Sequence, residues 1–186
     1  MLGELVKDAG LTVDGVELNA EWADLARQGG NYRNVWASTI EAAPLPEKEY
    51  RLVVCGDVLE HTPDPVAVIR RLRQAATDDA TFIISVPNIA HVAVRMMLLM
   101  GRFPKMERGP LDKTHLQFFT KDTAKEMVEA AGLKVRRITC TGVPLDEVWK
   151  DGQGGAVYKA STKLQHAALA VAPRLFGFQW IMVAGA

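Results

Sequence analysis

The sequence predicts an α/β protein in which a sheet carries helices on both faces. Three observations lead there. Short apolar runs of strand length alternate along the chain with stretches of helical periodicity. Helix starts are marked by residues whose side chains can accept orphan amide hydrogens, Asn19, Asp64 and Thr120, and helix ends by glycine, as at Gly29-Gly30 and Gly132. Two runs, Tyr50-Arg-Leu-Val-Val-Cys55 and Thr81-Phe-Ile-Ile-Ser-Val86, are apolar almost throughout, as strands covered on both faces require.

In order, residues 2–9 have helical character and stop at Gly10, and a short strand with alternating apolar positions follows over 12–17. Asn19 caps a helix over 20–28, and Asn34-Val-Trp-Ala37 is a third element before the turn-forming Ala43-Pro-Leu-Pro46. The strand at 50–55 leads to Pro63-Asp64-Pro65, a strong helix start because proline at the first helical position lacks only an N–H that has no partner there. That helix should reach Ala75, with the strand 81–86 next. Pro87-Asn88 opens an apolar helix through Met100, and Thr120 opens another that closes at Gly132. Strands over 134–140 and 179–184 finish the sheet, with a partly helical insertion between them.

At 186 residues and 48% hydrophobic, the chain suits one globular domain. Its 22 basic and 22 acidic residues balance without a long basic run, so no nucleic-acid partner is called for. Cys55 and Cys140, in or beside apolar strands, fit a reducing cytoplasm. Val92 to Met100 and Ala167 to Ala172 are too short to span a bilayer.

In such a sheet, ligands bind beyond the carboxyl ends of the strands. Glu17 ends the strand 12–17, where a carboxylate can accept hydrogen bonds from both hydroxyls of a ribose. A second loop, Cys55-Gly56-Asp57-Val58-Leu59-Glu60-His61, precedes the Asp64-capped helix. From residue 11 to 75 this pattern resembles class I methyltransferases that use S-adenosylmethionine. The resemblance implies a Rossmann-like sheet of order 3-2-1-4-5-7-6. It also implies that Glu17 binds the cofactor's ribose, that Thr39 and Ile40 frame its adenine, and that Gly56 and Asp57 lie along its methionine part. Where many relatives carry aspartate, Thr39 offers an uncharged hydroxyl.

A third block, Ser85-Val-Pro-Asn-Ile-Ala-His91 through Leu111-Asp-Lys-Thr-His115 to Phe119-Thr120, resembles a bacterial subgroup associated with surface-polysaccharide and glycan biosynthesis, sometimes fused to glycosyltransferases. A sugar or glycan hydroxyl is the acceptor this implies, and a glycosyltransferase the partner. His115, three residues after Asp112, is a candidate general base with a carboxylate to orient it; it is equally a candidate brace for the loop before the Thr120 helix. His61 is the second candidate base. Val92 to Met100 is either a lid over the acceptor or packed core. No Cys/His cluster has metal-ligand spacing, and Glu60 and His61, being adjacent, are poorly arranged to share one ion, so no metal is expected.

Enzymes of this class open with a strand and a loop resembling Asp-x-Gly-x-Gly-x-Gly, which this sequence lacks. The expectation is therefore an N-terminally truncated methyltransferase domain over 1–186, without the first strand. The alternatives are a non-catalytic relative that serves as a binding partner, and a nicotinamide-dinucleotide domain. The latter also needs a glycine-rich first loop and does not account for Leu59-Glu60-His61.

Overall fold

The computed structural model describes residues 10–148 and 155–185. The helix expected over 2–9 lies outside them. The chain divides into two compact units, one ending at Glu47 and the other beginning at Lys48.

The first unit holds β1 (Asp14–Glu17), α1 (Ala20–Gln28) and β2 (Asn34–Ala37). β1 and β2 pair in parallel, with Glu17 opposite Ala37. α1 starts where expected because the Asn19 side chain accepts the amide hydrogens of Glu21 and Trp22, at 2.9 and 3.2 Å. β1 is shorter than the expected strand. β2 offers it only four partners, and Asp14 spends its carboxylate on the Arg33 guanidinium, with Nε to Oδ1 at 3.0 Å.

The second unit contains β3 (Tyr50–Gly56), α2 (Pro65–Ala75), β4 (Ala76–Pro87), α3 (Val92–Leu99), α4 (Lys121–Ala130), β5 (Lys134–Thr141), three helices α5 (Leu145–Val148), α6 (Ala156–Val171) and α7 (Pro173–Phe176), and β6 (Gln179–Gly185). The strand order is β3-β4-β6-β5, with β3 and β4 parallel and β6 antiparallel to both its neighbours. Each sheet by itself reproduces a run of the expected order, β2-β1 the 3-2 run and β3-β4-β6-β5 the 4-5-7-6 run. α2 and α4 begin at Asp64 and Thr120, whose side chains accept from Ala67 and Thr123. Thr123 returns a bond to the Thr120 amide, completing a capping box.

β4 is the core strand of this unit. Its Ala80, Phe82, Ile84 and Val86 are buried, as are Trp180, Met182 and Ala184 of β6. Helix residues complete the core, Val68 and Ile69 from α2 and Ala124, Met127 and Val128 from α4. β3 departs from the expectation of a fully buried strand, because only Val53 and Cys55 are buried while Leu52 and Val54 are exposed. Exposed Leu52 and Val54 alternate with buried Val53 and Cys55, so the strand is covered on one face only. β4 itself begins at Ala76 rather than Thr81, with a register irregularity between Tyr50 and Leu52 on its partner. No helix among the described residues is long and apolar enough to cross a membrane.

This distribution of burial predicts that Ile84→Ala lowers stability by about 2–5 kcal/mol, through lost transfer energy and the cavity left behind. Leu52→Ala, at a 42% exposed position, should cost well under half of that. Urea denaturation of the two variants measures the difference.

Candidate functional site

In the first unit the carboxyl ends of two parallel neighbours bring Glu17, Thr39 and Ile40 together. The Glu17 carbonyl accepts the Ser38 amide hydrogen at 3.1 Å, which continues the pairing one residue past β2. Its carboxylate Oε1 accepts from the Asn19 amide at 2.8 Å, so the side chain is steadied at one oxygen. Thr39 opens a turn, its hydroxyl accepting from the Ala42 amide at 3.3 Å and its carbonyl from Ala43 at 3.0 Å. That hydroxyl keeps its own proton to donate.

In the second unit Gly56 ends β3 opposite Ser85. A Cβ added there would meet nothing nearer than the Ser85 Oγ at 3.9 Å, so packing within the chain does not demand a glycine at this exposed strand end. A bare backbone at such a point lets a ligand approach closely. Asp57 has φ of 52°, the left-handed region that L residues avoid and aspartate tolerates best after glycine and asparagine. It is held there from both sides. Its amide donates to the Ser85 carbonyl and Oγ, at 3.3 and 3.2 Å, and its Oδ1 accepts from Ser85 Oγ and from Gln179 Nε2.

The next turn, a single 3₁₀ turn over Leu59–His61, carries the most unusual group of the molecule. The Glu60 carbonyl accepts the amide hydrogens of Leu116 and Gln117, at 2.8 and 3.0 Å, which draws the loop before α4 against the loop after β3. The Glu60 carboxyl group is buried, and neither of its oxygens has a hydrogen-bond partner. Its nearest polar neighbour is His115, whose Nε2 lies 4.0 Å from Glu60 Oε1 and whose side chain is 6% exposed. Burial pushes the Glu60 carboxyl from its ordinary 4.5 up to about 8, opposed by its own backbone amide and reinforced by the charge of Asp57. Burial, then the neighbouring His61, pushes His115 down, against a hydrogen bond to the Pro110 carbonyl and the charge of Asp112.

His61 stacks edge-on against His115, ring centroids 4.8 Å apart, but is itself exposed. Its Nδ1 lies 3.3 Å from the Thr114 carbonyl and 3.2 Å from Thr114 Oγ1. Thr114 Oγ1 in turn donates to Asp112 Oδ1 at 2.6 Å. That geometry assigns the tautomer. The carbonyl can only accept, and the threonine proton is already committed to Asp112, so Nδ1 must donate and the neutral ring carries its lone pair on Nε2.

His115, Asp112 and His61 are thus brought together, but their pairing differs from the sequence expectation. Asp112 is engaged by Thr114, through both its amide at 2.8 Å and its hydroxyl, and reaches His61 through that hydroxyl. The carboxyl group facing His115 is Glu60, which sequence reasoning set aside. Glu60, His61 and His115 offer ligand atoms within 4.8 Å of one another, a grouping that adjacency in sequence did not foresee. His91 is structural: its Nδ1 accepts the Ala93 amide hydrogen at 3.3 Å and caps α3.

The family profile described as "Methyltransferase domain" matches residues 1–138. The ubiquinone biosynthesis O-methyltransferase of Aeromonas salmonicida is 29% identical over 163 residues, covering 82% of this chain and 67% of that protein. Its counterpart from Nitrosospira multiformis is 25% identical over 161 residues, covering 82% and 66%. The chain thus spans about two thirds of the length of these curated relatives. Among solved structures, a SAM-dependent methyltransferase from Archaeoglobus fulgidus superimposes with a TM-score of 0.62 at 18% identity, over 98% of this chain and 80% of that one; at this identity the likeness speaks for the fold alone.

The raised Glu60 value makes a pH-dependence that can be measured. Below the ordinary 4.5 both folded and unfolded chains hold the proton, and above about 8 both have released it. Between these limits only the folded chain keeps it, so stability falls as pH rises, by at most about 1.4 kcal/mol per pH unit. The lowered His115 acts in the opposite sense below its ordinary 6.5, so the Glu60 effect is cleanest between there and pH 8. Urea midpoints across that window should fall for the parent protein and stay flatter for Glu60→Gln; parallel profiles would remove Glu60 from this account.

Proposed function

The chain belongs to the methyltransferase domain family, and we propose that it transfers a methyl group from S-adenosylmethionine to the oxygen of a hydroxyl-bearing acceptor. The observation that carries this reading is the chain Asp112, Thr114, His61, which leaves an exposed imidazole with its lone pair on Nε2, one turn beyond Gly56 and Asp57. The curated relatives are named as O-methyltransferases, the same reacting atom. The resemblance of residues 85–120 to glycan-associated enzymes favours a sugar or glycan hydroxyl as the acceptor.

The residues fit the cofactor. Glu17 would hold the ribose hydroxyls, with Oε1 already steadied by Asn19; Thr39 and Ile40 would frame the adenine; and Gly56 with Asp57 would lie along the methionine part. When bound, S-adenosylmethionine supplies an electrophilic methyl group on a sulfonium. The chain's own work is to position the acceptor and remove its proton. His61 Nε2 accepts that proton as the acceptor oxygen becomes a nucleophile. The imidazolium formed is stabilised through Thr114 by the carboxylate of Asp112, whose hydrogen bonds to Thr114 hold it below the usual carboxylate range. His115, nearly enclosed and bound to Pro110, braces the ring of His61 from behind.

Two measurements test this. His61→Ala should lower turnover by about 10²–10⁴-fold while leaving cofactor affinity and the thermal midpoint nearly unchanged. His115→Ala should chiefly lower the midpoint. The reverse pattern would make His115 the base. By calorimetry, Glu17→Ala should weaken S-adenosylmethionine binding by about 1.5–3 kcal/mol for each charge-assisted bond lost; an unchanged affinity would exclude Glu17 from the site.

A further inference from the structure

α3 and the loop that follows it expose a run of large apolar side chains. Only Val94 of this helix is buried. Met96 and Leu98 are half exposed, and Leu99 and Met100 are 80% and 60% exposed. Past the turn at Gly101, whose φ is 69°, Phe103 and Met106 are exposed as well. A monomer rarely leaves so many large apolar side chains contiguous in one segment without use.

The loop is held in shape by backbone bonds. The Arg102 amide donates to the Met97 carbonyl, Met106 to Leu111 and Lys113 to Met106, all at 2.8 Å. The outward apolar side chains are therefore presented by an ordered backbone. The segment is also basic: between Val92 and Lys113 stand five basic residues and two acidic ones. One acid, Glu107, pairs with Lys113, and the other, Asp112, is occupied by Thr114. Arg102 and Lys105 are exposed among the apolar residues.

We propose that this segment docks the protein on the surface of a bilayer containing anionic phospholipids. Leucine, methionine and phenylalanine side chains would enter the headgroup and acyl boundary, while Arg102 and Lys105 meet lipid phosphates. Flexible methionines suit a fluid partner of varied shape. An eight-residue helix cannot cross the bilayer, so the segment lies on it. A second copy of this chain is a poorer occupant, because the segment carries an excess of basic residues and an anionic surface complements that charge where an identical segment does not. The surface leads to the site already described. Phe103 packs edge-on against Phe118 at 5.7 Å between centroids, Phe118 against His115 at 6.4 Å, and His115 against His61.

The test is co-sedimentation of the whole protein with vesicles of phosphatidylcholine and phosphatidylglycerol, beside vesicles of phosphatidylcholine alone. It needs neither cofactor nor acceptor, so its outcome is independent of the proposed methyl transfer. The parent protein should bind the anionic vesicles, more weakly at high salt. Arg102→Ala with Lys105→Ala should weaken binding about twenty-five-fold, roughly fivefold per charge. Leu99→Glu with Met100→Glu should abolish it while keeping the thermal midpoint, since both positions are exposed. Absence of binding to anionic vesicles would overturn the proposal, as would binding that the glutamates leave intact. A concentration-dependent dimer that the same glutamates dissociate, without vesicle binding, would overturn it in favour of a second copy.

Discussion

The carbonyl oxygen of Glu60 accepts two amide hydrogens, from Leu116 and Gln117, and the arrangement of the candidate site rests on that junction. It fastens the loop before α4 to the turn after β3. Without it there would be no reason for Thr114 to lie at His61 Nδ1 or for His115 to lie over the Glu60 carboxyl group. A backbone carbonyl has two lone pairs, and here both are used, so the junction depends on main-chain geometry and is insensitive to which side chains occupy positions 116 and 117. What the side chains add is burial. Leu59, Leu111 and Phe119 are all buried, and they seal the region around the junction from water.

Local signals in the sequence translated almost directly into structure. Asn19, Asp64 and Thr120 cap the helices they were expected to cap, because capping joins a side chain to amides two or three residues away and needs no tertiary partner. The strand ends bearing Glu17 and Gly56 were legible for the same reason. What escaped was anything set by contacts distant in sequence. Asp112 was expected to orient His115, three residues on, but Thr114 is two residues on and offers both an amide and a hydroxyl, so the nearer competitor wins. Glu60 was passed over because its importance lies in burial.

β3 shows the limit of reading burial from an apolar run. Its composition is that of a strand covered on both faces, yet within its unit it has one partner, and Leu52 and Val54 remain exposed. Composition records which surfaces a strand is able to bury; what packs against each face decides which it does bury. Strand order was more robust. The antiparallel β6, lying between β4 and β5, follows from a long connection out of β5 that returns the chain to the middle of the sheet. It also brings Gln179 to Asp57, so the last strand helps to hold the left-handed residue that follows the first strand of this unit.

The two carboxyl groups near the histidines are set to opposite tasks by their surroundings. Asp112 is hydrogen-bonded by the hydroxyl and the amide of Thr114, which favours the anion, so it can stabilise positive charge on an imidazole. Glu60 is enclosed without a hydrogen-bond partner, which favours the neutral acid, and His115 beside it is pushed towards its neutral form by the same enclosure. A buried group that stays uncharged avoids the large cost of desolvating an ion. The interior carboxyl is therefore pushed towards its neutral form and the exterior one towards its anion. In the proposed reaction this places the proton arriving from the acceptor on His61, next to the anion that welcomes it, and withholds it from His115, where a second positive charge would have to be buried.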